Sequence, residues 1–328
     1  MHEIGKPQRP RRTVLLLGAT GTIGRATLPA LLERGHRVIC FGRTRPGANF
    51  EEARVVWREG NVTVPGAVER GLQGQKIDVL VSCLASRTGT PGDAWAIDHR
   101  AQLNALEAAK HAGARQVVLL SALCVQKPRL AFQHAKLAFE DALQNSGLDY
   151  AIVRPTAFFK SLSGQVERVR SGRPMLVFGD GRLTACKPIS DQDLAAYLAD
   201  CIDAPERLNR ILPIGGPGPA ITPLDQAEML TRLLGRPTRI RRVPVGMLDG
   251  VIGALALAGR LSPTLAAKAE LARIGRYYAT ESMLVWNAET RSYDAERTPE
   301  TGRDRLEDHY ARLLSGEETA SLGEHAVF

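Results

Sequence analysis

A glycine turn framed by two apolar segments constrains this chain more than any other feature. Val14-Leu15-Leu16-Leu17, after Thr13, is a continuous apolar run of the kind found in strands buried on both faces. It meets Gly18-Ala19-Thr20-Gly21-Thr22-Ile23-Gly24, after which residues 25–32 continue with helical character until Gly35 closes them. Three glycines spaced by three residues therefore lie where a first strand turns into a first helix. Such a turn needs freedom of φ and lets the backbone come close to a pyrophosphate seated on the helix N-terminus. A bare glycine triplet says little. Set between strand and helix, it predicts dinucleotide binding, with Gly18, Thr20, Gly21, Thr22, Ile23 and Gly24 forming the cradle.

The alternation then repeats. Residues 37–41, 54–57, 78–84, 116–121 and 150–154 read as strands, with helical stretches at 65–72, 94–112 and 131–145 between them. Strands and helices alternating at these lengths predict an α/β fold with a doubly wound parallel sheet, the Rossmann arrangement. Beyond Pro155 the rhythm loosens into a smaller, mostly helical C-terminal part suited to binding substrate. The expected division is a flexible basic tail over 1–12, an NADP-binding domain over 13–156, a mixed substrate-binding region over 157–315, and a loose tail over 316–328. Within the mixed region, about 190–214 is expected to return to the sheet. A helix opened by Thr222-Pro223 runs to Gly235, and 247–274 supplies one or two apolar helices broken at Ser262-Pro263.

Composition narrows the ligand. Lys6, Arg9, Arg11 and Arg12, against Glu3, account for +3 of the net charge of +8. The remaining +5 is too little for nucleic acid and better suits an anionic small molecule. Five cysteines include no C-x-x-C pair, and an odd count closes no disulfide framework, so buried thiols in a reducing cytosol are expected. Residues 1–12 have no apolar core and do not read as a signal peptide. The longest lightly charged stretch, 244–259, is about 16 residues and too short to span a bilayer. It leaves transient contact with a membrane surface open. No pattern resembles a metal site.

An acidic residue about 20 positions after the glycines would bind a ribose 2′-hydroxyl. Here Arg43 stands nineteen positions after Gly24, with Arg45 two further on. A guanidinium pairs with a 2′-phosphate that a carboxylate would repel, which selects NADPH over NADH. Asn61 and Val62 close the third strand in reach of an adenine. Leu84, Ala85 and Ser86 follow the fourth strand, where the ribose and nicotinamide would lie; Ser121 ends the fifth, and Pro155 and Thr156 follow the sixth. Lys136, one helix after the fifth strand, could reach the nicotinamide ribose. Phe132, four positions earlier, shares its helical face, whereas His134 points roughly opposite and reads as a surface residue.

The glycine turn, the alternation and the placing of Lys136 resemble the atypical branch of the short-chain dehydrogenase/reductase superfamily. Its catalytic pair is Tyr-x-x-x-Lys; this chain has Phe132 in the tyrosine position and Lys136 in the lysine position. More specifically, Val125-Gln126-Lys127-Pro128, Ala131-Phe132-Gln133-His134-Ala135-Lys136 and Arg154-Pro155-Thr156-Ala157-Phe158-Phe159-Lys160-Ser161-Leu162 resemble the 3,8-divinyl (proto)chlorophyllide a 8-vinyl reductases. Glu281-Ser282-Met283-Leu284-Val285, Tyr293-Asp294 and Thr298-Pro299 match the same family, and the resemblance covers about residues 13–315. It implies NADPH-dependent reduction of a C8 vinyl group to an ethyl group in (bacterio)chlorophyll biosynthesis, with Lys136 as the catalytic residue.

The implied substrate is a flat Mg-tetrapyrrole whose magnesium travels with the pigment. Phe132, Phe158 and Phe159, with the helices from Met247 onward, are candidate walls. Lys160, Arg239, Arg241, Arg242 and Arg276 are candidates to meet its propionate. A positioned general acid contributes about 10²–10⁴-fold in rate. Its loss at Phe132 would cripple reduction of an isolated ketone, but hydride addition to a vinyl group conjugated with a macrocycle spreads the charge. Two alternatives stay open: a non-catalytic NADP(H)-binding redox sensor or assembly factor, and a reductase of another conjugated C=C bond. The expected setting is cytoplasmic, with a place at the edge of a photosynthetic membrane left open.

Overall fold

In the computed structural model, which describes residues 10–45 and 53–318, Val14 and Leu16 point into one core and Leu15 and Leu17 into another. All four are fully buried, because strand β1 (Thr13–Leu17) lies inside a parallel sheet covered on both faces. The turn after it leads into helix α1 (Thr22–Glu33), and β2 (Arg37–Gly42) and β3 (Val55–Glu59) step outward on one side. After α2 (Ala67–Leu72) the chain crosses back to β4 (Val79–Ser82), on the other side of β1. It then passes through α3 (Pro91–Ala94), a π-helical segment (Trp95–Ala101) and α4 (Gln102–His111) to β5 (Gln116–Leu120), and through α5 (Ala131–Gln144) to β6 (Asp149–Pro155).

The last strand of the sheet comes from far along the chain. After α6 (Phe159–Leu162), α7 (Val166–Arg170), β7 (Met175–Phe178) and α8 (Asp191–Asp200), strand β8 (Arg210–Ile214) pairs with β6. The order is β3-β2-β1-β4-β5-β6-β8, all parallel, so the winding reverses between β1 and β4. A crevice forms at the carboxyl ends of those two strands. This is the doubly wound sheet expected; β8 joins its edge, and α8 packs against α1. Helix α8 ends at Asp200, and Ser190 caps its start by accepting from the Asp193 N–H at 3.0 Å.

The C-terminal part combines three longer helices with short strands and turns. Helix α9 (Pro223–Leu234) opens with a reciprocal cap between Thr222 and Asp225 and closes on Gly235. Strand β9 (Ile240–Val243) pairs in parallel with β7, α10 (Val245–Gly259) packs along α11 (Pro263–Thr280), and β10 (Val285–Asn287) and β11 (Ser292–Asp294) form a hairpin before α12 (Leu306–Ser315). Its core, with Tyr310, Tyr277, Phe159 and Leu230, also takes in Cys124 and Leu130 from the loop ahead of α5. Residues 1–9 and 319–328 of the two expected tails lie outside the described residues. At the end that is described, Glu318 Oε1 accepts from Arg312 at 3.1 Å.

Candidate active site

The turn between β1 and α1 leaves no room for side chains. A Cβ on Gly24 would stand 2.1 Å from the Gly18 carbonyl oxygen, and one on Gly18, whose φ is +76°, would stand 2.6 Å from that of Cys83. The turn thus presses against the end of β4. Gly21 caps α1 without any side-chain acceptor, and the first turn of the helix carries no acidic residue. Thr20 and Gly21 are exposed. Bare N–H groups at a positive helix end are what a dinucleotide diphosphate requires, so the residues present fit that group.

The other expected cofactor residues follow the carboxyl ends of the sheet strands and differ in what they face. Arg43 is exposed, one residue beyond β2. Asn61 follows β3, but its side-chain oxygen accepts from the Thr63 N–H (3.1 Å) and hydroxyl (2.9 Å), and the Val62 carbonyl accepts from Asn104 (2.9 Å). Both acceptors are therefore occupied in shaping their own loop. Leu84, Ala85 and Ser86 run from the end of β4, where the Ser86 N–H donates to Asp98 Oδ1 at 3.3 Å.

Asp98 is the residue that sequence reasoning missed. It is 1% exposed in the π-helical segment, and Lys136 Nζ stands 3.0 Å from the same Oδ1. Its Oδ2 is buried with no hydrogen-bond partner. The extra residue in a π turn shifts side chains around the helix axis, and such turns gather at functional sites. Here it aims Asp98 at α5. With Gln102, Ser121 and Phe139, the pair lines a narrow cleft. Ser121 sits in that lining, but its hydroxyl donates to Glu140, which is itself paired with Arg154. The Thr156 hydroxyl donates to the Lys187 carbonyl, and its N–H to that of Ile214 (2.9 Å), so these groups join β6 to its neighbours rather than facing the rim. Pro155 ends β6 in register with Ile214.

Phe132 is half-buried on α5, with Gly89 and Ile274 of α11 beside it: a Cβ on Gly89 would meet Phe132 at 3.7 Å and Ile274 at 2.6 Å. One turn further along α11, the Tyr278 hydroxyl donates to Cys124 Sγ at 3.7 Å, and Tyr277 donates to the carbonyls of Cys124 (2.9 Å) and Lys127 (3.1 Å). Burial pushes the Cys124 thiol up, with Gln133, Tyr278 and Lys136 opposing it. His134 is exposed.

The expected substrate residues divide. Phe158 is half-buried beside the sheet. Phe159, at 4% exposure, belongs to the C-terminal core with its ring 5.6 Å from that of His309, so packing accounts for it. Among the basic candidates, Arg276 is bonded to Asp249 and Arg239 to the Gly172 carbonyl (2.5 Å), while Arg241 and Arg242 stay exposed on β9. Lys160 lies elsewhere: Nζ donates to Thr22 Oγ1, in the glycine turn, at 3.0 Å.

Comparison with known proteins agrees with this geometry. Residues 18–205 match a family model described as NAD(P)H-binding. The divinyl chlorophyllide a 8-vinyl-reductase, chloroplastic, of Cucumis sativus is 47% identical over 98% of this chain and 81% of its own. That of Zea mays is 48% identical over 96% of this chain and 83% of its own. Among solved structures, the NADPH-dependent quinone oxidoreductase QOR2 of Escherichia coli, complexed with NADPH, has the same fold, with a TM-score of 0.68 at 17% identity over 92% of this chain and 99% of that one. A nearly full-length relationship at this identity leaves one conclusion: the chain belongs to the divinyl chlorophyllide a 8-vinyl-reductase family.

Proposed function

We propose that this protein uses NADPH to reduce the C8 vinyl group of divinyl chlorophyllide a, or its protochlorophyllide counterpart, to an ethyl group. The observation that carries the reading is Phe132 one turn before an Asp98-held Lys136, in a chain this close to the vinyl reductases. The helix has kept the lysine that steadies a nicotinamide ribose and lost the phenol that ketone reduction needs.

When bound, the cofactor supplies hydride. The chain's own residues do the rest. The glycine turn orients the diphosphate, and the Arg43 guanidinium answers the 2′-phosphate. Lys136, fixed by Asp98, holds the ribose and adds positive field where the substrate's anion develops. Phe132 and Phe158 offer apolar surface to a flat pigment. Because the macrocycle spreads the negative charge, the proton that completes the ethyl group need not come from a donor fixed at position 132; water or a nearby acid supplies it.

The substrate's apolar character fits transient contact with a membrane surface through α10, which exposes Met247, Val251 and Leu257, with Leu261 at its tip. Arg241, Arg242 and Arg260 are exposed on and beside it and would face anionic lipid. No helix among the described residues is long and apolar enough to cross a membrane. The decisive experiment is to incubate the protein with NADPH and divinyl chlorophyllide a: loss of vinyl conjugation shifts the Soret band to the blue. An unchanged band with cofactor demonstrably bound would refute the reading and favour a non-catalytic NADP(H)-binding protein or another conjugated substrate.

A further inference from the structure

Lys160 belongs to α6, the first element after the parallel strands give way to the C-terminal part, yet its ammonium reaches back to the start of the chain. Its Nζ donates to the hydroxyl of Thr22, the first residue of α1 and part of the glycine turn. The contact brings a full positive charge to that helix end. The helix end already carries partial positive charge, and no acidic residue in the first turn offsets it. The nearby carboxylate is Asp191, which opens α8 and attracts Lys160, but its Oδ1 is buried with no hydrogen-bond partner. The lysine donates instead to a neutral hydroxyl on the cradle.

We propose that Lys160 is a diphosphate-binding residue: its ammonium would meet the cofactor's phosphate oxygens beside the bare N–H groups of the glycine turn. The sequence suggested a different partner for this lysine, the substrate's propionate, but the contact with Thr22 puts it on the cofactor. The two parts of the molecule then share the ligand. Leu162, two residues on, accepts from the Tyr310 hydroxyl at 2.8 Å, and Ser163 bonds His309 at 3.0 Å. Closing Lys160 on a diphosphate therefore ties α6 and α12 to the rim of the sheet. The inference rests on the cofactor and is independent of the pigment.

The test compares two ligands on two variants. NADPH binding is followed by its fluorescence, and 2′-AMP, which carries the 2′-phosphate but no diphosphate, by competition. Lys160→Met keeps the stem and removes the charge. It should weaken NADPH about 10- to 100-fold, the size of one charge-assisted hydrogen bond, and change 2′-AMP less than about twofold on the same scale. Retained 2′-AMP binding also shows that the variant is folded. Lys160→Arg should recover most of the NADPH affinity. NADPH affinity within about twofold of the unaltered protein would overturn the proposal. So would an equal loss for both ligands, which marks a general field or a structural defect. A raised KM for the pigment with NADPH affinity intact would overturn it as well, returning the lysine to the propionate.

Discussion

Strand β1 buries Val14, Leu15, Leu16 and Leu17 completely, whereas α10, three times as long, buries none of its residues. In the sheet, every strand but the outer β3 and β8 is held by ladders on both edges, and the side chains of β1 alternate between two cores. Apolar content and burial there go together. In the C-terminal part the strands are of three or four residues and helices α6 and α7 of four and five, too short to hold themselves. Side chains hold them instead. Glu281 receives Lys127 at 2.7 Å, Arg129 at 3.0 Å and the Tyr293 hydroxyl, and Gln126 bridges the Leu284 carbonyl (2.7 Å) and the Trp286 N–H (2.8 Å). Lys127 also lies 4.2 Å over the Trp286 ring. One half is stabilised by pattern, the other by particular contacts.

Four substitutions put that contrast at risk. The largest effect is expected from Leu16→Ala, about 2–5 kcal/mol lost in denaturant unfolding, because the cavity would open inside a fully buried strand. A loss below about 1 kcal/mol would mean the sheet is less tightly packed than its burial implies.

Next is Glu281→Gln, about 1–3 kcal/mol, since it strips charge from a buried acceptor that serves three donors. The same residue fixes a pH dependence. Burial alone would raise its carboxyl, but the bonds from Lys127 and Tyr293 and the charges of Arg129 and Lys127 hold it below the usual range. A depressed folded value means its contribution is present above the unfolded carboxylate pKa and fades as pH falls through the folded one. Unfolding curves of the two proteins should therefore converge towards acid pH. Parallel curves from pH 7 downward would exclude Glu281 as the source.

Lys136→Ala should lower turnover more than about tenfold, roughly 1.4 kcal/mol of barrier, without unfolding the protein; normal turnover removes Lys136 from the reaction. The smallest effect on stability is expected at Leu257, which is 64% exposed. Leu257→Ser should stay within about 0.5 kcal/mol while reducing co-sedimentation with anionic vesicles. A large destabilisation there would show that α10 is covered in solution and would break the contrast drawn above.

The chemistry in this chain is read from the residues with uneven success. The glycine turn was legible because the reason for each glycine is local: a positive φ at Gly18 and a carbonyl 2.1 Å from where a Gly24 Cβ would be. The shared face of Phe132 and Lys136 was legible because four residues make one helical turn. Asp98 was not, since its value depends on a π turn that no periodicity announces and on a lysine thirty-eight positions away. The directions of Phe159 and Lys160 were not legible for a related reason. Adjacent in sequence, one turns into the C-terminal core and the other back to Thr22, and only the packing of α6 decides which way each goes.

The sequence by itself determined the parallel sheet and the glycine turn between its first strand and first helix, because backbone ladders and helical turns repeat over a few residues and leave a periodic trace. Only the tertiary structure decided which polar side chains meet: Asp98 with Lys136, Lys160 with Thr22, Glu281 with Lys127 and Arg129. Those meetings join segments up to 154 residues apart. They exist only once the apolar core has chosen a single way to close, which is a property of the whole chain and of no window within it.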